Sequence, residues 1–174
     1  MIFVGLDLSL TSTGLVAGDL RVAHGSKFKG IERLVDLRTK ILAPMAQFAA
    51  DGQDFVVMVE GYSFGSKNSH AHALGELGGV IRMAMLENGF PFVEVPPSNV
   101  KKFATGKGNA SKGEVMSATS VRTGIVWAGK GAEDICDAFV LEQMGLTKAG
   151  LSPYTWPKLN MEALDTLDWT NAGI

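Results

Sequence analysis

Four carboxylates are spaced so that they could hold a divalent cation. Asp7 interrupts the apolar run Ile2-Phe3-Val4-Gly5-Leu6-Asp7-Leu8, and Glu60 closes Phe55-Val56-Val57-Met58-Val59-Glu60, so both acids sit in segments that read as buried strands. A carboxylate in such a segment needs a compensating partner. Asp134 and Asp137, in Glu133-Asp134-Ile135-Cys136-Asp137-Ala138, are spaced i, i+3 at the start of an apolar helical stretch and share one helix face. If the fold brings the three segments together, the result is a site of hard oxygen ligands, the kind used for phosphoryl transfer.

Simpler explanations account for some of these residues better than others. Glu133 and Asp134 could merely serve a helix N-terminus, where negative charge is favoured by about 0.3 to 1 kcal/mol. Asp137 lies beyond the first turn beside Ala138, Phe139 and Val140, where that explanation weakens. Asp7 has no evident structural task in its strand. The following Ser9-Leu10-Thr11-Ser12-Thr13-Gly14 reads either as a turn offering N–H groups and hydroxyls to a phosphate, or as a hairpin with local hydrogen bonds. Glu60 leads into a Gly/Ser/Asn-rich loop carrying Tyr62 and Phe64, aromatics that either pack under the loop or stack on bases, a contact of about 1 to 3 kcal/mol per base. His70 and His72, at i, i+2, point to different sides of a helix and are not assigned as ligands.

The net charge of −2 is no sign of a nucleic-acid binder, but the charge is uneven. Between Pro96 and Gly113 stand Lys101, Lys102, Lys107 and Lys112 with no acid among them. Such a stripe can steer phosphates, although on charge alone the simpler reading is a solvated lysine-rich loop.

The elements that must position these residues follow from periodicity. Three short strands with tight turns open the chain, the second near Leu15–Ala17 and the third near Val22–Phe28, as an antiparallel meander. A helix spans residues 31 to about 50, with Pro44 expected to kink or break it. The strand ending at Glu60, a helix from about Ser69 to Asn88, a strand at Phe92–Val95, short helices flanking the lysine stripe and a helix from Ala132 to about Gly145 complete the order. That order implies an α/β fold, a mixed sheet with helices packed on it. Gly75, Gly78 and Gly79 are costly in a helix unless another backbone approaches, possible across a dimer interface. The chain is long enough for one buried core, expected over residues 1–150, with 151–174 as a C-terminal tail or arm that could pack its tryptophans on the domain. No apolar run approaches the roughly 20 residues that span a bilayer, and Met1–Asp7 does not read as a signal peptide, so a cytoplasmic protein is expected. The single cysteine, Cys136, reads as a plain buried residue.

Acids and lysines together resemble the RuvC family of Holliday junction resolvases, metal-dependent endonucleases of RNase H-like fold. The resemblance covers most of the chain to about Gly145. It rests on Asp7 in Gly5-Leu6-Asp7-Leu8-Ser9, on Val59-Glu60, on Asp134-Ile135-Cys136-Asp137-Ala138, and on Val100-Lys101-Lys102-Phe103-Ala104-Thr105-Gly106-Lys107-Gly108-Asn109-Ala110-Ser111-Lys112, which looks like the family's VK…TGxGxAxK segment. It implies a homodimeric crossover junction endodeoxyribonuclease that nicks four-way junctions or related branched DNA in pairs and leaves 5′-phosphates. Asp7, Glu60, Asp134 and Asp137 would hold two Mg²⁺ ions, with Mn²⁺ as substitute, and Lys112 would support catalysis. Lys101, Lys102, Lys107 and Lys112 would contact DNA, as would Tyr62 and Phe64; a partner helicase is left unspecified. Two departures stand out. Ser63 replaces the family's usual aromatic three residues after the middle glutamate, so distortion of a junction centre would be done differently, and Glu114 stands where the family often has Gln. Competing readings are a broader flap and fork nuclease, a non-catalytic junction-binding module, and an actin/hexokinase-type phosphotransferase, whose two-lobed architecture needs a much longer chain.

Overall fold

In the computed structural model residues 1–62 and 69–173 are described, the side chains of 69–74 excepted. Five strands form one sheet: β1 (Ile2–Asp7), β2 (Thr13–Ala17), β3 (Leu20–His24), β4 (Phe55–Glu60) and β5 (Phe92–Val95), in the order β3-β2-β1-β4-β5. The first three form the expected antiparallel meander, while β4 pairs parallel with both β1 and β5. The third strand ends at His24 rather than near Phe28, because the chain turns at Gly25-Ser26 and the Ser26 hydroxyl accepts the Phe28 N–H.

Side chains alternate across a strand, and here each set meets a different layer of helices. Val4 and Leu6 of β1 and Val57 and Val59 of β4 pack against α1 (Gly30–Ala50) and α2 (Ser69–Glu87). Phe3 of β1 and Val56 and Met58 of β4 face the opposite way, onto α3 (Pro97–Thr105), α4 (Lys112–Thr123) and α5 (Ala132–Lys148). The same parity carries Asp7 and Glu60 to the α5 side. Helix α1 does not end at Pro44. Burying Leu37, Ile41 and Met45 against the sheet offsets the one helical hydrogen bond that proline removes.

Helix α5 lies directly on β1 and β2 because two glycines admit it. A methyl group on Gly5 would overlap the carbonyl oxygen of Ala138, and one on Gly14 would overlap that of Asp134. Gly145 meets the Phe3 ring in the same way farther along the helix. In α2 only Gly78 is explained by close packing, against Tyr62 and Arg82; nothing within 4 Å confronts Gly75 or Gly79.

Beyond Leu151 the chain folds back over the α3 face, with α6 (Lys158–Met161) and a single 3₁₀ turn (Glu162–Leu164). Trp156 is buried with its ring centroid 4.2 Å from that of Phe103, and Ala163, Leu164 and Leu167 join the same core. The side-chain amide of Asn160 donates to the Phe103 carbonyl at 2.7 Å, and that of Asn99 donates to the Ala163 carbonyl at 2.7 Å. Both tryptophans therefore pack onto the domain, Trp169 donating its indole N–H to the Leu164 carbonyl.

Candidate active site

The strand register sets the site. Leu6 lies opposite Val59 in the parallel β1–β4 pair, so Asp7 and Glu60 are neighbours at the C-terminal ends of adjacent strands. Strands in such a pair run roughly 4.8 Å apart, and the two carboxyl groups come within hydrogen-bonding reach of each other. Asp7 is almost fully buried. Burial, then the charge and hydrogen bond of Glu60, then the charge of Asp137 hold its carboxyl well above the ordinary carboxylate range, against the pull of Lys112.

The third element is the first two turns of α5, brought down on β1 and β2 by Gly5 and Gly14. Asp137 is pushed up to about 6 by burial, with Glu60 and Asp134 adding to the rise and Lys112 opposing it. Lys112 opens α4, and its ammonium stands 3.5 Å from an Asp137 oxygen and 3.8 Å from an Asp134 oxygen. Burial works against its charge, but Asp137, Asp7 and Asp134 together raise it above the usual lysine value. The position is fixed by a capping box: the Ser111 hydroxyl accepts the Glu114 N–H, and the Glu114 carboxylate accepts the Ser111 N–H at 2.7 Å. Glu114 is thereby committed to the helix start.

Asp7, Glu60, Asp134, Asp137 and Lys112 are thus brought to one end of the sheet. Among the described residues no three metal-capable side chains already close into a cage. The acids form an open cluster in which one ammonium relieves the repulsion between carboxylates. Buried, mutually repelling oxygen donors fit a hard divalent cation, which would remove the same penalty more completely than one lysine can. Cys136 points away into the core, and its thiol is pushed up to about 12 by burial and by Asp137.

Other sequence-predicted residues fall into place unevenly. Lys107 is exposed and Lys101 half-buried on the α3 side, and neither makes an ion pair among the described residues. Lys102 is paired with Glu162 at 3.0 Å. Tyr62 offers less free ring than a base-stacking residue needs: the Arg82 guanidinium lies 4.4 Å from its centroid and its hydroxyl donates to the Gly75 carbonyl. Phe64, with Ser63, lies outside the described residues. The hydroxyls after Asp7 take the local reading, Thr13 donating to the Ser9 carbonyl at 2.6 Å and accepting the Ser9 N–H at 3.0 Å.

The sequence reading missed Arg82, which touches Glu60, Tyr62 and Glu94; a lone cation within Val80-Ile81-Arg82-Met83-Ala84 was the available signal. It also missed Glu142, a buried acid two turns beyond the site on α5. Its carboxylate accepts the Gly18 N–H of the β2–β3 turn at 2.5 Å, which makes it a structural acid.

The family model described as Crossover junction endodeoxyribonuclease RuvC matches residues 11–141. The chain belongs to the RuvC family. Glu60, the four lysines, Asp134 and Asp137 all fall inside that match, and Asp7 lies just upstream of it. A RuvC from Caldicellulosiruptor saccharolyticus is 26% identical over 152 residues, covering 79% of this chain and 87% of its own length. One from Synechococcus sp. is 30% identical over 132 residues, covering 68% and 81%. The structure of Thermus thermophilus RuvC in complex with a Holliday junction substrate superposes with a TM-score of 0.63 at 22% identity, over 89% of this chain and 99% of that one. The mixed sheet with its flanking helices is accordingly RNase H-like. RuvC enzymes are metal-dependent nucleases, which agrees with the donor set at the strand ends.

Proposed function

We propose that this chain is a structure-selective endodeoxyribonuclease that resolves Holliday junctions by paired nicking and leaves 5′-phosphates. The observation that carries the reading is the convergence of Asp7, Glu60, Asp134 and Asp137 around Lys112 in a member of the RuvC family. Two Mg²⁺ ions, or Mn²⁺ in their place, held by those carboxylates would supply Lewis-acid activation of the attacking water and of the leaving 3′ oxygen.

The chain's own residues account for the rest. Asp7 and Glu60 ride on adjacent strands at the sheet's centre, where the backbone is least free to shift, and Asp134 and Asp137 ride on a helix seated on glycines. Lys112 neutralises the cluster in the resting protein and is placed to offer its ammonium to a phosphate. Lys101 and Lys107 would neutralise flanking phosphates, so junction binding should weaken with salt. Lys102 takes part only if its Glu162 pairing opens. Tyr62 is held by Arg82 and the Gly75 carbonyl, so of the two aromatics Phe64 would be the one to contact the junction centre.

The protein acts as a homodimer. Met83 and Leu86 of α2 are exposed together, 62% and 74%, beside the bare backbone of Gly79, an apolar helix face that a second copy would cover. A two-fold axis there would give two active sites to match a four-way junction. Residues 1–150 form the nuclease body and 151–174 an arm wrapped on it. Among the described residues no helix is long and apolar enough to cross a membrane, and cytoplasmic action on DNA is part of the same proposal.

Cleavage of a labelled four-way junction, beside flap, fork and linear duplex, tests the reading with Asp7→Asn as control. Paired symmetric cuts in the junction alone, lost in Asp7→Asn with binding retained, are expected. Equal cutting of flaps and forks would replace the assignment with a debranching nuclease, and unchanged cutting by Asp7→Asn would defeat the site.

A further inference from the structure

Glu60 is the last residue of β4, and there the chain leaves the sheet. The Gly61 N–H is still held by the Val95 carbonyl at 2.8 Å, but the Glu60 carbonyl oxygen takes its hydrogen bond from Arg82 of α2, at 3.1 Å. The same guanidinium bonds the Glu94 carboxylate of β5 at 2.6 Å and the Gly78 carbonyl of its own helix at 3.2 Å, and lies over the Tyr62 ring. Its side chain is only 13% exposed. A planar fork with five donors can hold several partners in fixed directions, which a lysine ammonium cannot. Space for it is cleared in advance, since a methyl on Gly78 would come within 2.5 Å of the Tyr62 hydroxyl and 2.7 Å of an Arg82 nitrogen.

We propose that Arg82 is a positioning residue for Glu60. By fixing the peptide plane that follows Glu60, and by clamping Tyr62 two residues on, it sets the backbone from which the Glu60 carboxylate projects toward Asp7. It rests on the reading of Glu60 as a metal ligand. The outer partners of a metal ligand typically govern metal affinity by 10- to 100-fold.

The sign of the effect separates this role from a plain charge effect. Arg82 is a cation near a cation site, so losing its charge alone would strengthen metal binding; losing the brace weakens it. In the full-length protein without DNA, the Mn²⁺ dissociation constant of Arg82→Gln should rise about tenfold or more, with junction binding in EDTA retained. Arg82→Lys keeps the charge but not the fork, and should also bind Mn²⁺ more weakly. Should Arg82→Gln fail to fold, Gly78→Ala, which crowds the guanidinium and Tyr62 without changing any charge, should give a smaller loss in the same direction. Because Arg82 acts through Glu60, Arg82→Gln added to Glu60→Gln should cost nothing further; additive losses would overturn the proposal. Unchanged or tighter Mn²⁺ binding in the Arg82 and Gly78 variants, with Glu60→Gln still weakened, would overturn it while sparing the site. No effect of Glu60→Gln would instead remove Glu60 from the site.

Discussion

Replacing Asp137 by Asn should stabilise the metal-free protein while removing a proposed metal ligand. The Asp137 carboxyl is raised from 3.8 to about 6. Between those values the folded state holds a proton that the unfolded state has released, so stability falls as pH rises through the window and stays reduced above it. At 1.36 kcal/mol per unit, the deficit by neutral pH is about 3 kcal/mol. Asn carries no charge to bury, so Asp137→Asn should escape it. For a chain of this size about 2 to 4 °C accompanies each kcal/mol, giving a gain of about 6 to 12 °C in Tm at pH 8 that shrinks toward zero near pH 4. Thermal melts of both proteins in EDTA, from pH 4 to 8, measure it. Adding Mn²⁺ at about 1,000 times the parent's Kd should reverse the order, because it contributes about 4.1 kcal/mol to the protein that binds it, more than the deficit, and binds the variant less well. A variant less stable than the parent at pH 8, or a difference independent of pH, would refute the claim that carboxylate repulsion and burial dominate this cluster in the absence of a cation.

Glu60→Gln should abolish junction cleavage and leave junction binding within a few-fold of the parent in a mobility-shift assay, because at constant shape it removes a charge proposed to hold metal; loss of binding would point to a folding defect instead. Lys101→Ala should weaken junction binding and flatten the salt dependence of log K by about one unit, and an unaltered slope would remove it from the phosphate contacts. Gly14→Ala places a methyl against the Asp134 carbonyl, so it should cost on the order of 1 to 3 kcal/mol in denaturant melts and loosen Mn²⁺ binding by lifting the first turn of α5; a neutral result would mean that α5 is not held by that contact. Trp156→Ala should cost about 3 to 5 kcal/mol, since the indole is buried against Phe103, whereas a freely moving arm would lose almost nothing.

What could be read from the sequence was what depends on short-range pattern. Ile2–Asp7 and Phe55–Glu60 read as buried strands that each end in an acid, and i, i+3 spacing puts Asp134 and Asp137 on one helix face. Both rules are local, and both held. The end of β3 was harder to place because it is decided by a hydroxyl-to-backbone bond at Ser26. The continuity of α1 through Pro44 was harder still, since the penalty is local but the compensation is tertiary. Arg82 was out of reach for a related reason: its partners lie in β4, in β5 and in the segment after Glu60, and no spacing along α2 announces them.

The glycines show why the site and the fold cannot be separated here. In sequence Gly5 reads as one residue of an apolar strand and Gly14 as part of a turn. Their function is distance: they let α5 rest on the sheet backbone, which brings Asp134 and Asp137 to the strand ends that carry Asp7 and Glu60. Clustering carboxylates in this way costs stability in the resting protein, and Lys112 offsets only part of it. The helix must therefore be held from elsewhere, and the buried contacts of Phe139, Val140, Leu141 and Met144 with the sheet, together with the Glu142 bond to the β2–β3 turn, hold it over the two turns beyond the acids. A site built on that balance gains the most when a cation binds, because the repulsion that destabilises the empty cluster becomes the attraction that fills it.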